Sequence, residues 1–415
     1  MKRWLVIAAW LWVQLAYGQT NGEIAWLNQR RIPLQTTDPE AGSEDLKAFL
    51  DQVGESTVVA LGECTHGSRE IFRTKHRLWK ALVEQKGFTI FAIEADYTGA
   101  QAVNEYIQTG RGDSTKVIQA LAYWTWQTEE VWALIQWMRV YNQTHATKLT
   151  FPGFDMNVPF AALEAIRQSA EGQPELKAWT IALDTLYRRP GFGAYADLKL
   201  ASQLSQKIGQ QLNQRPPSAT LLQSARTLVQ YAEMRSRGFL RGSGFRDQCM
   251  AENVEWIRQQ SPGAKVVLWA HNGHIETRGG LSRSMGYFLR RVYGTGYLPV
   301  GFLTGRGRCT AISRDSLNHL GSLNRGNELI EPTATSFEHW FMQASVPDFY
   351  LDLRGIPTGQ PNARWLTEKK DTRNIGSMMP LKPAYQFTPN HRLVDLYDIL
   401  IFLRETSASR CYGVQ

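Results

Sequence analysis

An α/β fold is the class this sequence predicts: a mostly parallel central sheet flanked by helices, with two similar α/β units and a helical insertion. Three observations carry it. Short apolar runs rich in β-branched or aromatic residues recur at Val58–Leu61, Thr89–Ile93, Leu149–Phe154, Lys265–Trp269, Tyr297–Leu303, Phe349–Leu353 and Ile399–Leu403. They do not alternate apolar with polar residues, which is the pattern of strands covered on both faces. Between the first two lies a helical period over Ser68 to Lys86, with Ile71, Leu78, Leu82 and Val83 on one face and Ser68 placed as the N-cap.

In chain order, residues 1–18 read as a secretory signal peptide. Lys2-Arg3 is a short positive segment, Trp4 to Tyr17 is apolar, and Ala16-Tyr17-Gly18 puts small residues at positions −3 and −1 of a cleavage site. The apolar stretch is short for a bilayer span and Gln14 interrupts it. An exported protein, periplasmic or extracellular and starting near Gln19, is expected, with no stable membrane insertion. Residues 19–158 are the first part of the α/β core, 159–262 the helical insertion and 263–415 the second part of the core. Through the insertion Gln, Ala, Leu and Ser dominate, and breaks at Gly172, Pro190-Gly191, Pro216-Pro217 and Gly242 divide it into four or five helices. Leu221, Leu222, Ala225, Leu228, Val229 and Ala232 form one apolar stripe for packing.

Composition narrows the function classes. With 43% hydrophobic and 20% charged residues over 415 positions, the chain is globular and long enough for one large domain with an insertion, or two. The formal charge of +8 is spread out: there is no run of five Lys or Arg and no RNA-binding signature, so no nucleic-acid partner is expected. Cys64, Cys249, Cys309 and Cys411 allow three complete pairings and their spacing selects none. No CxxC pattern is present, which argues against a structural zinc site.

The chemistry-bearing residues collect at strand ends. Ligands of a parallel sheet bind outside the carboxyl ends of its strands. The first run ends in Glu63 and His66, the second in Glu94 and Asp96, the third in Asp155, and the fourth in His271 and His274. Residues 58–66 can be laid on 266–274, with Glu63 on His271 and His66 on His274, which suggests two similar strand-turn-helix units. His66 precedes a helix start, whose positive end disfavours imidazolium, so a neutral ring able to accept a proton is expected. Glu63 or Glu94 would fix its tautomer. Cys64, two residues before His66, is read as a small apolar filler rather than a nucleophile. Of the 14 Trp, Trp132 and Trp137 read as core. Trp124 and Trp126, in Tyr-Trp-Thr-Trp-Gln, are candidates to line a substrate cleft.

Gly62-Glu63-Cys64-Thr65-His66-Gly67 followed by Ile93-Glu94 resembles the GE-x-x-H motif and strand-ending Glu of the erythromycin esterase family. Trp269-Ala270-His271-Asn272-Gly273-His274 resembles its second motif. Arg246-Asp247 with Met250, Glu252-Asn253 and Trp256 is similar to its RD-x-x-M-x-x-N helix, and Met285-Gly286 to the Met-Gly that follows. The resemblance runs over about residues 45 to 405. It implies a hydrolase that opens a carboxylic ester or macrolide lactone with water activated by a His base, without a covalent intermediate or cofactor. His66 is then the base, Glu63 and Glu94 the carboxylates, and His271 and His274 place water or the ester oxygen. Arg246 and Met285 would join Trp124 and Trp126 in binding substrate. The macrolide-active members carry an Arg nine residues after the base, where this chain has Lys75, and bulkier residues where it has Gly67-Ser68. Arg73 is near but shifted round the helix. Because an ammonium cannot make the bidentate contacts of a guanidinium, the departure bears on which ester is cleaved.

Two further readings use the same residues. Glu63, His66, Glu94, His271 and His274 are all possible zinc ligands of a metal-dependent hydrolase or peptidase, although the helical HExxH signature is absent. A non-catalytic binding protein would use the same cleft.

Overall fold

The computed structural model describes residues 22–214, 218–278, 283–314, 319–356 and 359–412. The signal-peptide segment and the break at Pro216-Pro217 lie outside them. The fold is mixed α/β, with a mostly parallel central sheet flanked by helices. Among the described residues the strands in chain order are β1 (Ile32–Pro33), β2 (Val58–Leu61), β3 (Phe88–Asp96), β4 (Gly153–Asp155), β5 (Lys265–Trp269), β6 (Tyr297–Arg314), β7 (Leu320–Leu329), β8 (Asp348–Asp352), β9 (Lys370–Arg373), β10 (Phe387–His391) and β11 (Ile399–Thr406). No helix among the described residues is long and apolar enough to cross a membrane.

The chain divides into two compact units. The first comprises the described residues of 1–54, 61–81 and 298–409. Here β6 pairs in parallel with β11, β11 antiparallel with β8, and β8 antiparallel with β1. Phe341, Phe349, Phe402 and Trp365 pack on these strands as a buried aromatic cluster. β6 runs on well past Leu303, and its last residues pair antiparallel with β7. The exposed strand β7 has no apolar run, and its sequence, with Asn, Arg, Gly and Ser, carries no strand signal.

The second unit comprises the described residues of 55–60, 82–297 and 410–415. β3 is parallel to both β5 and β4, with Ile93 opposite Trp269 on one side and Gly153 on the other. The strands therefore finish in step, and Glu94, Asp155 and His271 follow on one edge. Helices Phe160–Ser169, Pro174–Arg188, Tyr195–Gln214, Ala219–Ser236 and Gly238–Gln259 occupy the middle of this unit. They enclose their own apolar core, which includes Ile166, Leu183, Ile208 and Leu228. Gly242 does not break its helix. It lies inside Gly238–Gln259 because the helix packs on the Met234 carbonyl, which an added Cβ would meet at 2.7 Å. Asp96, expected among the strand-end residues, caps helix Tyr97–Thr109 by accepting from Gly99 N at 2.7 Å.

Candidate active site

After β2, a turn of the first unit carries Glu63 and His66, and helix Arg69–Lys86 follows. Ser68 Oγ accepts from Ile71 N at 3.4 Å, a cap on the first turn. Gly67 is required by close approach: its carbonyl accepts from Thr310 N and Ser409 N, and a Cβ would sit 1.8 Å from the Thr310 carbonyl oxygen. The turn before the helix is thereby clamped, and with it the direction of His66.

Glu63 is fully buried between Lys75 and His66. Lys75 Nζ donates to its Oε2 at 2.6 Å from within the core, where it also lies over the Phe302 ring. His66 Nδ1 stands 2.7 Å from its Oε1. With an ammonium on its other oxygen, Glu63 is an acceptor, so Nδ1 of His66 carries the proton and Nε2 is the basic nitrogen. His66 is 13% exposed, whereas Glu63 and Lys75 are inaccessible. A lysine takes one carboxylate oxygen and leaves the other to the imidazole, which a guanidinium fork would cover. Arg73 points elsewhere, to Asp38 at 2.8 Å.

Cys64 is fully buried, and burial pushes its thiol up to about 12, far from a thiolate at neutral pH. Cys64, Cys249 and Cys309 are free and buried.

The second unit holds a cluster built on Arg246, which helix Gly238–Gln259 presents. Its Nε and Nη2 donate to the two oxygens of Asp155 at 2.9 and 2.7 Å, and Nη2 also donates to Glu94 Oε1 at 2.7 Å. Burial opposes the guanidinium charge, but Asp155 and Glu94 outweigh it and hold its pKa well above the ordinary value. The other oxygen of Glu94 accepts from His271 N at 3.0 Å. Asn253 fastens the helix to β4 by donating to the Phe154 carbonyl at 3.0 Å, which keeps Arg246 against Asp155.

The two histidines of this cluster are set by different means. His271 caps the short helix Asn272–Ile275, with Nδ1 accepting from Gly273 N at 3.2 Å. In the neutral ring the proton then sits on Nε2, a donor. His274 Nδ1 donates to Asp247 Oδ1 at 2.7 Å. Its Nε2 lies 3.2 Å from both Glu94 Oε1 and Arg246 Nη1, so the cationic ring can donate to Glu94 and the neutral ring can accept from Arg246. Burial works against the charge, but Asp247 and Glu94 outweigh it and hold the imidazole at about 10. At neutral pH His274 is a fixed cation rather than a base.

Several substrate-binding expectations meet other surroundings. Trp126 is buried in the core, edge-on to Trp269, with Nε1 donating to the Glu94 carbonyl at 2.8 Å. Met285 is buried too, and its backbone N–H donates to Asp247 Oδ1 at 2.9 Å, so it steadies the partner of His274. Trp124 is half-buried. Arg246 lies within the cluster as its counter-charge. Asp155 and Asp247 were visible in the sequence as a strand end and a motif letter, but their pairing was not. Tyr123 was not singled out: it follows Ala122, held at φ 65°, and its hydroxyl bonds the Asn157 side chain near Asp155, Arg246 and Glu94.

The chain is similar to known proteins over most of its length. The Erythromycin esterase family model matches residues 83–406. The erythromycin esterase type II of Escherichia coli is 26% identical over 375 residues, covering 80% of this chain and 89% of its own. A Bacillus cereus protein of known structure superposes with a TM-score of 0.80 at 24% identity, covering 95% of this chain and 99% of that one. A mutant of the erythromycin esterase EreC in its open conformation has a TM-score of 0.67 at 16% identity, over 93% and 98% of the two chains.

The Asp247–His274 pair has a pH signature. A histidine held at about 10 adds stability that is fully present below its unfolded pKa of about 6.5 and is lost as pH rises through about 10. Asp247→Asn should flatten that dependence and cost on the order of 3 kcal/mol near neutral pH. NMR titration of the His274 imidazole checks it: the ring stays cationic past pH 8 in the wild type and titrates lower in the variant. Equal midpoints would break the assignment.

Proposed function

Because the chain belongs to the erythromycin esterase family, we propose that it is a hydrolase of carboxylic esters or lactones that uses water activated at His66. The observation that carries this reading is the buried Lys75–Glu63–His66 relay, with bonds of 2.6 and 2.7 Å. His66 Nε2 takes a proton from water as the water oxygen bonds to the ester carbonyl carbon, and Glu63 stabilises the imidazolium that forms. Lys75 donates to the other oxygen of Glu63 and gives the buried carboxylate its counter-charge. When the tetrahedral intermediate collapses, the ester C–O bond breaks and the leaving alkoxide takes the proton back from His66. Acid and alcohol are the products.

The carbonyl oxygen gains charge in this step and needs donors set in advance. Within the second unit, His271 offers a donor at Nε2, whereas both N–H groups of the His274 cation are held by Asp247 and Glu94. Lys75 in place of an Arg keeps the carboxylate available to His66, which supports ester hydrolysis and leaves the size of the acid and alcohol parts to other contacts. A resident metal is not part of this reading, because Arg246 already supplies the positive charge between Glu94 and Asp155.

A panel of aryl esters, simple lactones and macrolides, followed by mass spectrometry, tests the reaction. His66→Ala should lose at least ~100-fold in turnover, the usual worth of general-base catalysis, and turnover within a few-fold of wild type would remove His66 from the role. Cys64→Ala should keep most of the activity, with no acyl adduct in intact-mass spectra of the wild-type enzyme. Activity should also survive exhaustive dialysis against a chelator. Loss on chelation with rescue by zinc would favour the metal-dependent hydrolase instead.

A further inference from the structure

Among the described residues the three most exposed large apolar side chains lie on two segments of the second unit that meet. Gly238, held at φ 72°, lets helix Ala219–Ser236 turn with one residue between into helix Gly238–Gln259. The corner reads Arg235-Ser236-Arg237-Gly238-Phe239-Leu240-Arg241, a bulky apolar pair with arginines on both sides. Phe239 is 90% exposed and Leu240 80%. Gly193 and Leu198 line one cavity with Gly238 and Phe239, so the start of helix Tyr195–Gln214 stands against this corner. It adds Tyr195, 81% exposed. Such side chains scattered singly carry no message, but gathered on one surface they mark a place of contact.

The charges say what kind of partner fits. The acids of the two segments are already answered: Asp184 pairs with Arg188 at 2.9 Å, Asp197 with Arg189, and Glu233 with Arg237. Arg235 donates to the neutral Tyr231 hydroxyl at 3.1 Å and lies over the Phe192 ring. Among the described residues Lys199 and Arg241, both exposed, form no ion pair. These three cations are an excess beside the apolar tips. A complementary partner therefore carries negative charge at its surface and hydrocarbon beneath, which is the layering of an anionic bilayer. Phe239 and Leu240 are consecutive on a helix, about 100° apart round its axis, so they do not share one flat face. A fluid hydrocarbon layer receives both without a matching pocket, and the long Arg and Lys stems can lie along it with their heads at the phosphates.

We propose that this corner docks the protein on an anionic phospholipid bilayer, with Phe239, Leu240 and Tyr195 entering the interface and Arg235, Arg241 and Lys199 meeting the lipid phosphates. The contact is peripheral, since no helix among the described residues is long and apolar enough to cross a membrane. The inference goes beyond the esterase reading and does not depend on it. Neither the apolar tips nor the three cations suffice alone, because shallow insertion of a few side chains and attraction to anionic headgroups add in the same binding step.

The test floats the full chain with vesicles of phosphatidylcholine mixed with phosphatidylglycerol, and with vesicles of phosphatidylcholine alone. The wild type should bind the mixed vesicles at least tenfold more tightly, and the binding should weaken as salt screens the headgroups. Two double variants divide the contributions: Phe239→Asp with Leu240→Asp, and Lys199→Gln with Arg241→Gln. All four positions are exposed, so both proteins should fold, and each should lose at least tenfold in affinity for the mixed vesicles. If the charged pair lowers the melting temperature, Phe239→Ser with Leu240→Ser reads the same loss. Equal binding to the two kinds of vesicle, or binding unchanged when Phe239 and Leu240 are replaced, overturns the proposal. So does an absence of binding to the mixed vesicles. A concentration-dependent dimer that the Asp pair dissolves, without vesicle binding, would show that a second copy of the chain covers the corner instead.

Discussion

Buried carboxylates must find their counter-charges in the protein, and that constraint organises both units. Glu63 and Asp155 are inaccessible, and Glu94 is nearly so. An unpaired carboxylate in such a place would protonate or force the structure open. Lys75 and His66 answer Glu63, and Arg246 answers Glu94 and Asp155 together. Each pairing also fixes a geometry. The lysine leaves one oxygen of Glu63 for an imidazole, while the arginine fork ties the ends of two parallel strands to one helix. Asp96 shows what happens without a cation: burial pushes it up to about 7, and it serves as a helix cap.

The same logic separates the histidines by charge and tautomer. His66 meets a carboxylate already neutralised by Lys75, so it is oriented by Glu63 and keeps its basic nitrogen. His274 lies among Asp247 and Glu94 and is held as a cation at about 10. His271 is set by a backbone N–H instead of a carboxylate. The three rings differ in the partner on the ring nitrogen: a carboxylate shared with Lys75, two carboxylates, or a backbone N–H.

The motif letters divide between chemistry and support. Arg246 and Asp247 carry charge, whereas Asn253, a turn or two further along the same helix, ties that helix to β4 through a carbonyl. Met285 acts through its backbone and Trp126 through one indole N–H on the Glu94 carbonyl. Gly67 is there because the backbone of Thr310 leaves no room for a Cβ. Residues of this second kind position the site from within the core, so a list of motif positions overstates how many groups a substrate would touch.

The sequence by itself determined the α/β class, the strands Val58–Leu61 and Lys265–Trp269, and the collection of Glu63, His66, Glu94, His271 and His274 at strand ends. Those features are written in local apolar runs and in the residues that stop them. It did not disclose β7, β9 or β10, whose polar residues leave no apolar period to read. It also left open which counter-charge each carboxylate takes. Arg246 and Asp155 stand 91 residues apart, and His274 and Asp247 stand 27 apart. A salt bridge has no sequence period: it forms where folding brings two charges together away from water. Only the tertiary structure could therefore decide that Lys75 serves Glu63, that Arg246 is a counter-charge, and that Trp126 and Met285 are supports.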